Sequence, residues 1–435
     1  MLQLYHSGRL SQYLLWLACV AGVVGLLAAR ALVSLSPVVG LLAVLANPHL
    51  RRDLPHYARN GAAMRAAAMY ALFIVSGLYT SEWPEWRHET FRLLPWVGVP
   101  LVFALAVPLG GRQRLAVGSC FVLGTAAVAL ATLAQFLRDP AAGNEAIRIG
   151  QNMPSVTRIF HIHFGVMLGL AFFCGLQLRR EALAGPLLRA ALLLAAAGAA
   201  ITIHVLAYRT GLLVFYAGLL AEALRLVLRR RRALGLGLLL LLAGGPWLAY
   251  RALTPVQQRW DSTRWDVEQF VLGHDLNEYS LARRLVAWQT AGALVRQHPL
   301  LGVGPADAYA AMMEQYAWRD FGLRPANRVM IHNQYLHYLV GSGAVGLGLW
   351  LALLLWPLAQ PRQRRNPYIR QFLLVLGTAM LVDSLLELQI GFNLFVFGYG
   401  FLVVAGERRW RQPARPGAAA GRSSVPQLSH SAITS

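Results

Sequence analysis

Long unbroken apolar blocks, each close to twenty residues, constrain this chain more than any other feature. Inside hydrocarbon no water satisfies backbone N–H and C=O groups, so a spanning segment is a helix or a strand of a closed barrel. Continuous blocks of about 20 residues are helical, because barrel strands are about half that length and alternate apolar with polar residues. The blocks fall near 12–29, 31–47, 66–80, 93–109, 115–137, 159–177, 187–206, 209–228, 233–250, 332–358, 371–388 and 390–406. The expectation is an all-α polytopic integral membrane protein of about twelve transmembrane helices, with one large external loop carrying short helices. The composition agrees, with 57% hydrophobic and only 14% charged residues. This divides the chain into an N-terminal bundle of about nine helices at 1–251, a loop at 252–331, three C-terminal helices at 332–406 and a tail at 407–435. Blocks 12–29 and 31–47 are separated only by Arg30 and form a tight hairpin. The first block has no small-residue cleavage site and further spans follow it, so it reads as a signal anchor.

Orientation follows from the basic residues. The chain has no lysine, so all 40 are arginine. They concentrate in alternate loops: Arg51, Arg52, Arg59 and Arg65; Arg112 and Arg114; Arg179, Arg180 and Arg189; Arg229 to Arg232; Arg362, Arg364, Arg365 and Arg370; and the tail. By the positive-inside rule these faces and both termini are cytoplasmic. The loop 252–331 is charge-balanced, so the net charge of +21 comes mainly from the cytoplasmic rim. That charge signals topology and contact with anionic lipid, and it excludes a nucleic-acid reading. Cys19, Cys120 and Cys174 all fall in apolar blocks, so neither a disulfide framework nor a thiolate metal site is expected. The tail from about residue 412 is rich in Pro, Gly, Ala and Ser and has too little apolar surface to order itself.

Ionisable groups at the edge of the hydrocarbon are costly unless they face a polar cavity or each other, which makes them functional candidates. They gather on the external side. Arg209 lies between two spans joined by almost no loop; it either marks a helix end by snorkelling or faces a site. Arg283 and Arg284 open a stretch whose apolar residues Leu281, Leu285, Trp288 and Leu294 suit an amphipathic helix on the membrane surface, one of the two arginines facing solvent. His332 and His337 stand where the loop re-enters the bilayer, about 140° apart on a helix, too far out of phase for a matched pair. Neither their spacing nor the weak Asp266-x-Glu268 pattern makes a convincing metal site. Imidazole, with a reference pKa of about 6.5, suits proton abstraction from a hydroxyl near neutral pH. His332 is followed by Asn333 and by Gly341, Gly343, Gly346 and Gly348, a series that permits close helix packing. Asp383 and Glu387, four apart in an apolar block, fall on one helix face; either could orient a histidine or pair with an arginine. Arg158 before His161 and His163, and Arg92 beyond the belt of Trp83 and Trp86, are further external groups able to meet phosphate or lipid headgroups.

Three motifs taken together resemble the bacterial O-antigen ligases, within the superfamily of O-antigen ligases and polymerases. The first is His332-Asn333 followed by Gly343 and Gly346. The second is Arg209 with Leu213 four positions on. The third is Arg284-Leu285, then Trp288, then Pro299-Leu-Leu-Gly-Val-Gly304 in the large loop, which selects Arg284 over Arg283. The resemblance implies a glycosyltransferase at the periplasmic face of the inner membrane. It would move polysaccharide from undecaprenyl diphosphate to a sugar hydroxyl of lipid A-core, inverting the anomeric carbon. His332 would be the general base and Arg209 and Arg284 would hold the diphosphate. Asp383 would support the histidine, while Asn333, His337, Arg158 and Arg92 would line the substrate site. The two arginines would stand where many sugar transferases use a metal, so neither metal nor cofactor is expected. Rival readings are an O-antigen polymerase or a protein O-oligosaccharyltransferase, then an anion transporter or a non-catalytic scaffold. One-sided crowding of the ionisable groups argues against the transporter, whose site belongs near the midplane.

Overall fold

The computed structural model describes residues 2–148, 151–319 and 321–411. Helices account for the regular structure of those residues. Eight are long and apolar enough to cross a membrane: Arg9–Leu27, Gly111–Arg138, His161–Leu178, Pro186–Val205, Arg209–Leu228, Arg232–Ala252, Gln334–Ala359 and the composite stretch Gln389–Arg408. The other four apolar blocks form shorter helices, Arg30–Leu45, Gly61–Ser76, Pro95–Leu105 and Pro367–Ala379. Each of the twelve blocks therefore carries a helix, but at about 1.5 Å per residue these four reach only part of the way across about 30 Å of hydrocarbon. Of the tail expected at 407–435, the first residues continue a helix, Ala405–Arg411; the rest lies outside the described residues.

The main core lies between these helices and is rich in aromatic residues. Trp96 meets Phe392 and Phe395 edge-on at 5.5 and 5.8 Å between ring centroids, an arrangement the ring quadrupoles favour. A second core lies in the loop, where helices Thr254–Leu272, Ser280–Gln297 and Ala308–Trp318 fold back over the membrane helices. Ala282, Val286, Ala291, Met312 and Tyr316 pack there with Val340 of the long helix. The Ser280–Gln297 helix thus buries Ala282, Val286, Ala287, Thr290, Ala291 and Leu294 in protein, so it is a packed core helix and not a membrane-surface helix.

Two helices are interrupted where the loop meets them. The long helix breaks at Gly343, whose φ of 60° and ψ of −160° suit only glycine. The break leaves backbone groups without helical partners, and the Pro299–Gly304 turn supplies them. Val303 N–H donates to the Val340 carbonyl at 2.9 Å and Gly304 N–H to that of Gly341 at 3.0 Å, while Ala344 N–H donates to the Pro299 carbonyl at 2.9 Å. The loop backbone comes so close that a Cβ on Gly343 would lie 2.2 Å from Leu300 carbonyl carbon. Gly343 therefore serves a loop-to-helix seam, and Gly348, with open space around it, serves no close helix packing.

The second interruption follows Ala379, where the helix from Pro367 ends and residues 380–388 run to the helix starting at Gln389 with only a single 3₁₀ turn, Leu385–Glu387, between them. Asp383 and Glu387 are consequently not on one helix face. A third seam orders the neighbouring surface: Asp307 accepts from Thr80 Oγ1 at 2.6 Å and from Ser81 N–H at 2.7 Å, which ties the loop to the chain just before helix Trp83–Arg92.

Candidate active site

His332 lies immediately before the long helix, with a left-handed backbone (φ 47°) that costs a non-glycine residue about 1–3 kcal/mol and persists only where its surroundings over-determine it. They do so here. The Ile331 carbonyl accepts from Trp288 Nε1 at 2.7 Å, Asn333 N–H donates to Ser384 Oγ at 3.2 Å, and Gln334 N–H donates to the Met380 carbonyl at 2.9 Å. The Gln334 side chain returns the contact, accepting from Leu386 N–H at 2.9 Å. Residues 331–334 and 380–386 are thus laced together, and this sets His332 against Asp383. Nδ1 and the carboxylate Oδ1 are 2.7 Å apart. Asp383 is nearly buried at 8% side-chain exposure while His332 keeps 29%, so the carboxylate stays inside and the imidazole faces outward. Burial pushes the Asp383 carboxyl up, but the bond to His332 and the nearby Arg284 and His163 outweigh it and hold the group below its ordinary value. An ionised Asp383 accepts the Nδ1 proton, which leaves Nε2 with a free lone pair.

Arg284 and Trp288 are four apart and share a helix face. Arg284 Nη1 donates to the Val382 carbonyl at 2.9 Å, so one face of one loop helix grips both segments of the crossover. Burial lowers the Arg284 guanidinium below its usual value, with Asp383 opposing. Arg283 turns away to Asn327 Oδ1 at 2.9 Å, so neither arginine of the pair is simply solvated.

Arg209, the first residue of its helix, reaches from the membrane bundle to Ser262 Oγ at 3.2 Å, and its Nε is buried without a partner among the described residues. Arg259, on the same loop helix as Ser262, donates through Nη2 to the Gln151 carbonyl and to Asn152 Oδ1, each at 2.9 Å. Burial first, then Arg209, pulls the Arg259 guanidinium down to about 10, so it remains a cation at neutral pH. Asp266, raised by burial against the pull of Arg209, Arg283 and Arg259, accepts from Leu281 N–H at 2.9 Å; it supports the next helix and is not half of a metal pair with exposed Glu268. His161 lies in the electrostatic reach of Arg284, Arg259 and Asp383 together. His163 points its Nε2 at the Leu385 carbonyl, 3.4 Å away. The outcome is a dyad of His332 and Asp383 beside three partly buried guanidinia, from Arg209, Arg259 and Arg284. Fixed, water-depleted cations of this kind bind an anion and stabilise charge that develops on it.

The remaining expected residues fall elsewhere. Asn333 caps the long helix, its Oδ1 accepting from Tyr335 and Leu336 N–H at 3.0 Å each. His337 contacts Glu387 through Nε2 at 3.2 Å. Arg92, chelated by Glu89, donates to the Leu386 carbonyl at 2.9 Å. His337, Glu387 and Arg92, but not Asn333, line a cavity of about 60 Å³ bordered also by Trp96 and Pro305. Arg158 is exposed, and its carbonyl accepts from Arg30 at 3.4 Å; it joins neither group. Arg259 escaped the sequence reading. Its signal was a polar stripe, with Arg259, Ser262 and Asp266 at offsets of three and seven residues on one helix face.

The fold and site define a class: a multi-pass membrane protein whose ionisable groups converge where a large loop is sewn into two interrupted helices. Residues 155–351 match the family model described as O-Antigen ligase, a stretch that runs from just before His161 through Arg209, Arg259, Arg284 and His332. That stretch, a little under half of the chain, is similar to the O-antigen ligases and polymerases, a family of glycosyltransferase-like enzymes acting on lipid-linked glycans. No curated protein matches the chain.

Proposed function

We propose that the protein is an O-antigen ligase of the bacterial inner membrane, with its site facing the periplasm and both termini in the cytoplasm. The donor is polysaccharide on undecaprenyl diphosphate and the acceptor is a sugar hydroxyl of lipid A-core. The observation that carries the reading is the 2.7 Å contact between His332 and Asp383, set beside the buried guanidinia. In this mechanism His332 Nε2 takes the proton of the acceptor hydroxyl as its oxygen attacks the anomeric carbon of the donor. The bond from that carbon to the diphosphate breaks, and its electron pair leaves on the diphosphate. Arg209 and Arg284, joined by Arg259, stabilise the charge the leaving group gains, a contribution that is greatest in the transition state. Asp383 fixes the imidazole tautomer and stabilises the imidazolium. A single displacement inverts the anomeric centre. Three permanent cations on the leaving group make the reaction independent of a divalent metal.

The test is transfer of labelled glycan from undecaprenyl diphosphate to purified lipid A-core by detergent-solubilised protein in EDTA, beside His332→Ala and Arg209→Ala. Product on lipid A-core from wild type alone supports the reading. Label lengthening on undecaprenyl carriers would make the protein a polymerase, and strict Mg²⁺ or Mn²⁺ dependence would refute the arginine-only account.

A further inference from the structure

A second cavity, unconnected with the chemistry above, opens at the other end of the bundle. The helix His161–Leu178 begins beside the site and runs about 27 Å away from it, and Pro367–Ala379 returns from that far end to the segment carrying Asp383. Between these helices and Arg9–Leu27, Gly111–Arg138 and Gln389–Tyr399 lies an apolar cavity of about 390 Å³. Phe121, Leu170, Leu394, Phe397 and Phe401 form its walls. It extends about 12 Å along the His161 helix, from Leu178 at the mouth to Leu170 within. One wall is made by a rare element, the π-helical turn Gly400–Val404, which brings Phe401 and Leu402 to the cavity; such turns disrupt the α-helical ladder and recur at functional sites.

The mouth is polar and its two charges are unequally placed. Glu181 accepts a hydrogen bond from Tyr368 Oη at 2.7 Å. The guanidinium of Arg114, half-buried at the rim, forms no ion pair among the described residues. An apolar chamber with a free cation at its entrance complements an anionic amphiphile. At about 30 Å³ per methylene, near the volume of a water molecule in the liquid, it accepts about a dozen methylenes, one acyl chain. Since hydrocarbon gains little by leaving lipid for an apolar protein wall, selection falls to the headgroup at Arg114.

We propose that this cavity is a specific site for one acyl chain of an anionic phospholipid, its phosphate held by Arg114, in the leaflet opposite the His332 site. The experiment is lipid extraction from the full-length protein purified in mild detergent, with phosphatidylglycerol quantified per mole of protein, beside Arg114→Gln and Leu394→Trp. Wild type should retain phosphatidylglycerol, and Arg114→Gln about fivefold less, the scale of one arginine near anionic lipid. Leu394→Trp, which fills the chamber, should lose it without altering the rim. Thermal midpoints in phosphatidylcholine discs with and without phosphatidylglycerol give a second readout: the shift seen for wild type should vanish in Arg114→Gln. Equal retention by wild type and Arg114→Gln overturns the proposal even if the tryptophan variant fails to fold. So does replacement of phosphatidylglycerol by an isoprenyl phosphate as the retained lipid.

Discussion

Replacing Asp383 by asparagine tests the dyad with the least change of shape. The substitution removes one charge from a bond of 2.7 Å, and a hydrogen bond to a charged group contributes about 1.5–3 kcal/mol. At about 1.4 kcal/mol per decade this alone lowers the rate roughly 10- to 150-fold. A second effect adds to it. The asparagine amide can donate to Nδ1, which moves the ring proton to Nε2 and abolishes the lone pair that the proposed mechanism uses. Wrong-tautomer losses in a comparable carboxylate–histidine pair reach about 10⁴ in kcat. The expected outcome is a fall in kcat between about 10² and 10⁴ with KM for the lipid-linked donor nearly constant, since Asp383 is set behind the histidine. Initial rates of glycan transfer, measured over a range of donor concentrations, check this. A variant that folds and transfers within about threefold of wild type would refute the claim that the carboxylate sets the tautomer.

The same substitution has a stability signature whose sign is fixed. Asp383 has a lowered value in the folded protein, so its contribution is fully present above the ordinary carboxylate range and is lost as pH falls through the folded value. Thermal midpoints of wild type should exceed those of Asp383→Asn at neutral pH, and the gap should close on acidification. A constant gap from neutral to acid pH would contradict the assignment.

Gly343→Ala places a side chain at a glycine-only conformation and against the Leu300 backbone, so it should cost more than about 3 kcal/mol and free the loop to proteolysis; a wild-type melting curve would count against the seam. Arg259→Ala should raise donor KM about tenfold or more, through the loss of one cation from a three-guanidinium anion site; unchanged donor binding would remove it from that site. Arg209→Lys should not restore Arg209→Ala activity, because a compact ammonium loses the forked contacts, and full rescue would mean that only charge matters. Glu387→Gln should leave transfer within about threefold and destabilise by no more than about 1 kcal/mol, as befits a carboxylate that is 41% exposed in its pair with His337; collapse of activity would bring His337 and Glu387 into the chemistry.

Much of this was legible because the membrane makes polar residues conspicuous. Each of the twelve apolar blocks carries a helix, Arg209 and His332 stood out as ionisable groups at block edges, Asp383 stood out inside a block, and Arg284 was picked from the loop by the motif it shares with the O-antigen ligases. What was hidden were the interruptions. The stretch Leu381-Val-Asp-Ser-Leu-Leu-Glu-Leu388 contains neither glycine nor proline, so nothing local marks the end of a helix at Ala379. The break is tertiary, made by Arg284 and Gln334 bonding to its backbone. Gly343 was visible, but its left-handed conformation follows from the loop seated against it. Arg259 was hidden for the opposite reason: in a loop balanced between arginines and carboxylates, one more arginine carries no signal until its helix face is known.

The two interruptions also explain why the site needs the loop. Unpaired backbone at the edge of hydrocarbon is tolerated only where protein satisfies it. The break at Gly343 is satisfied by the Pro299–Gly304 turn, and the Val382 and Ile331 carbonyls by Arg284 and Trp288. The groups that hold the crossover of His332 and Asp383 together therefore belong to the loop, as does Ser262, which anchors Arg209. Dyad and cation cluster form as one unit when the loop docks, and neither would survive its removal even though every membrane helix remained.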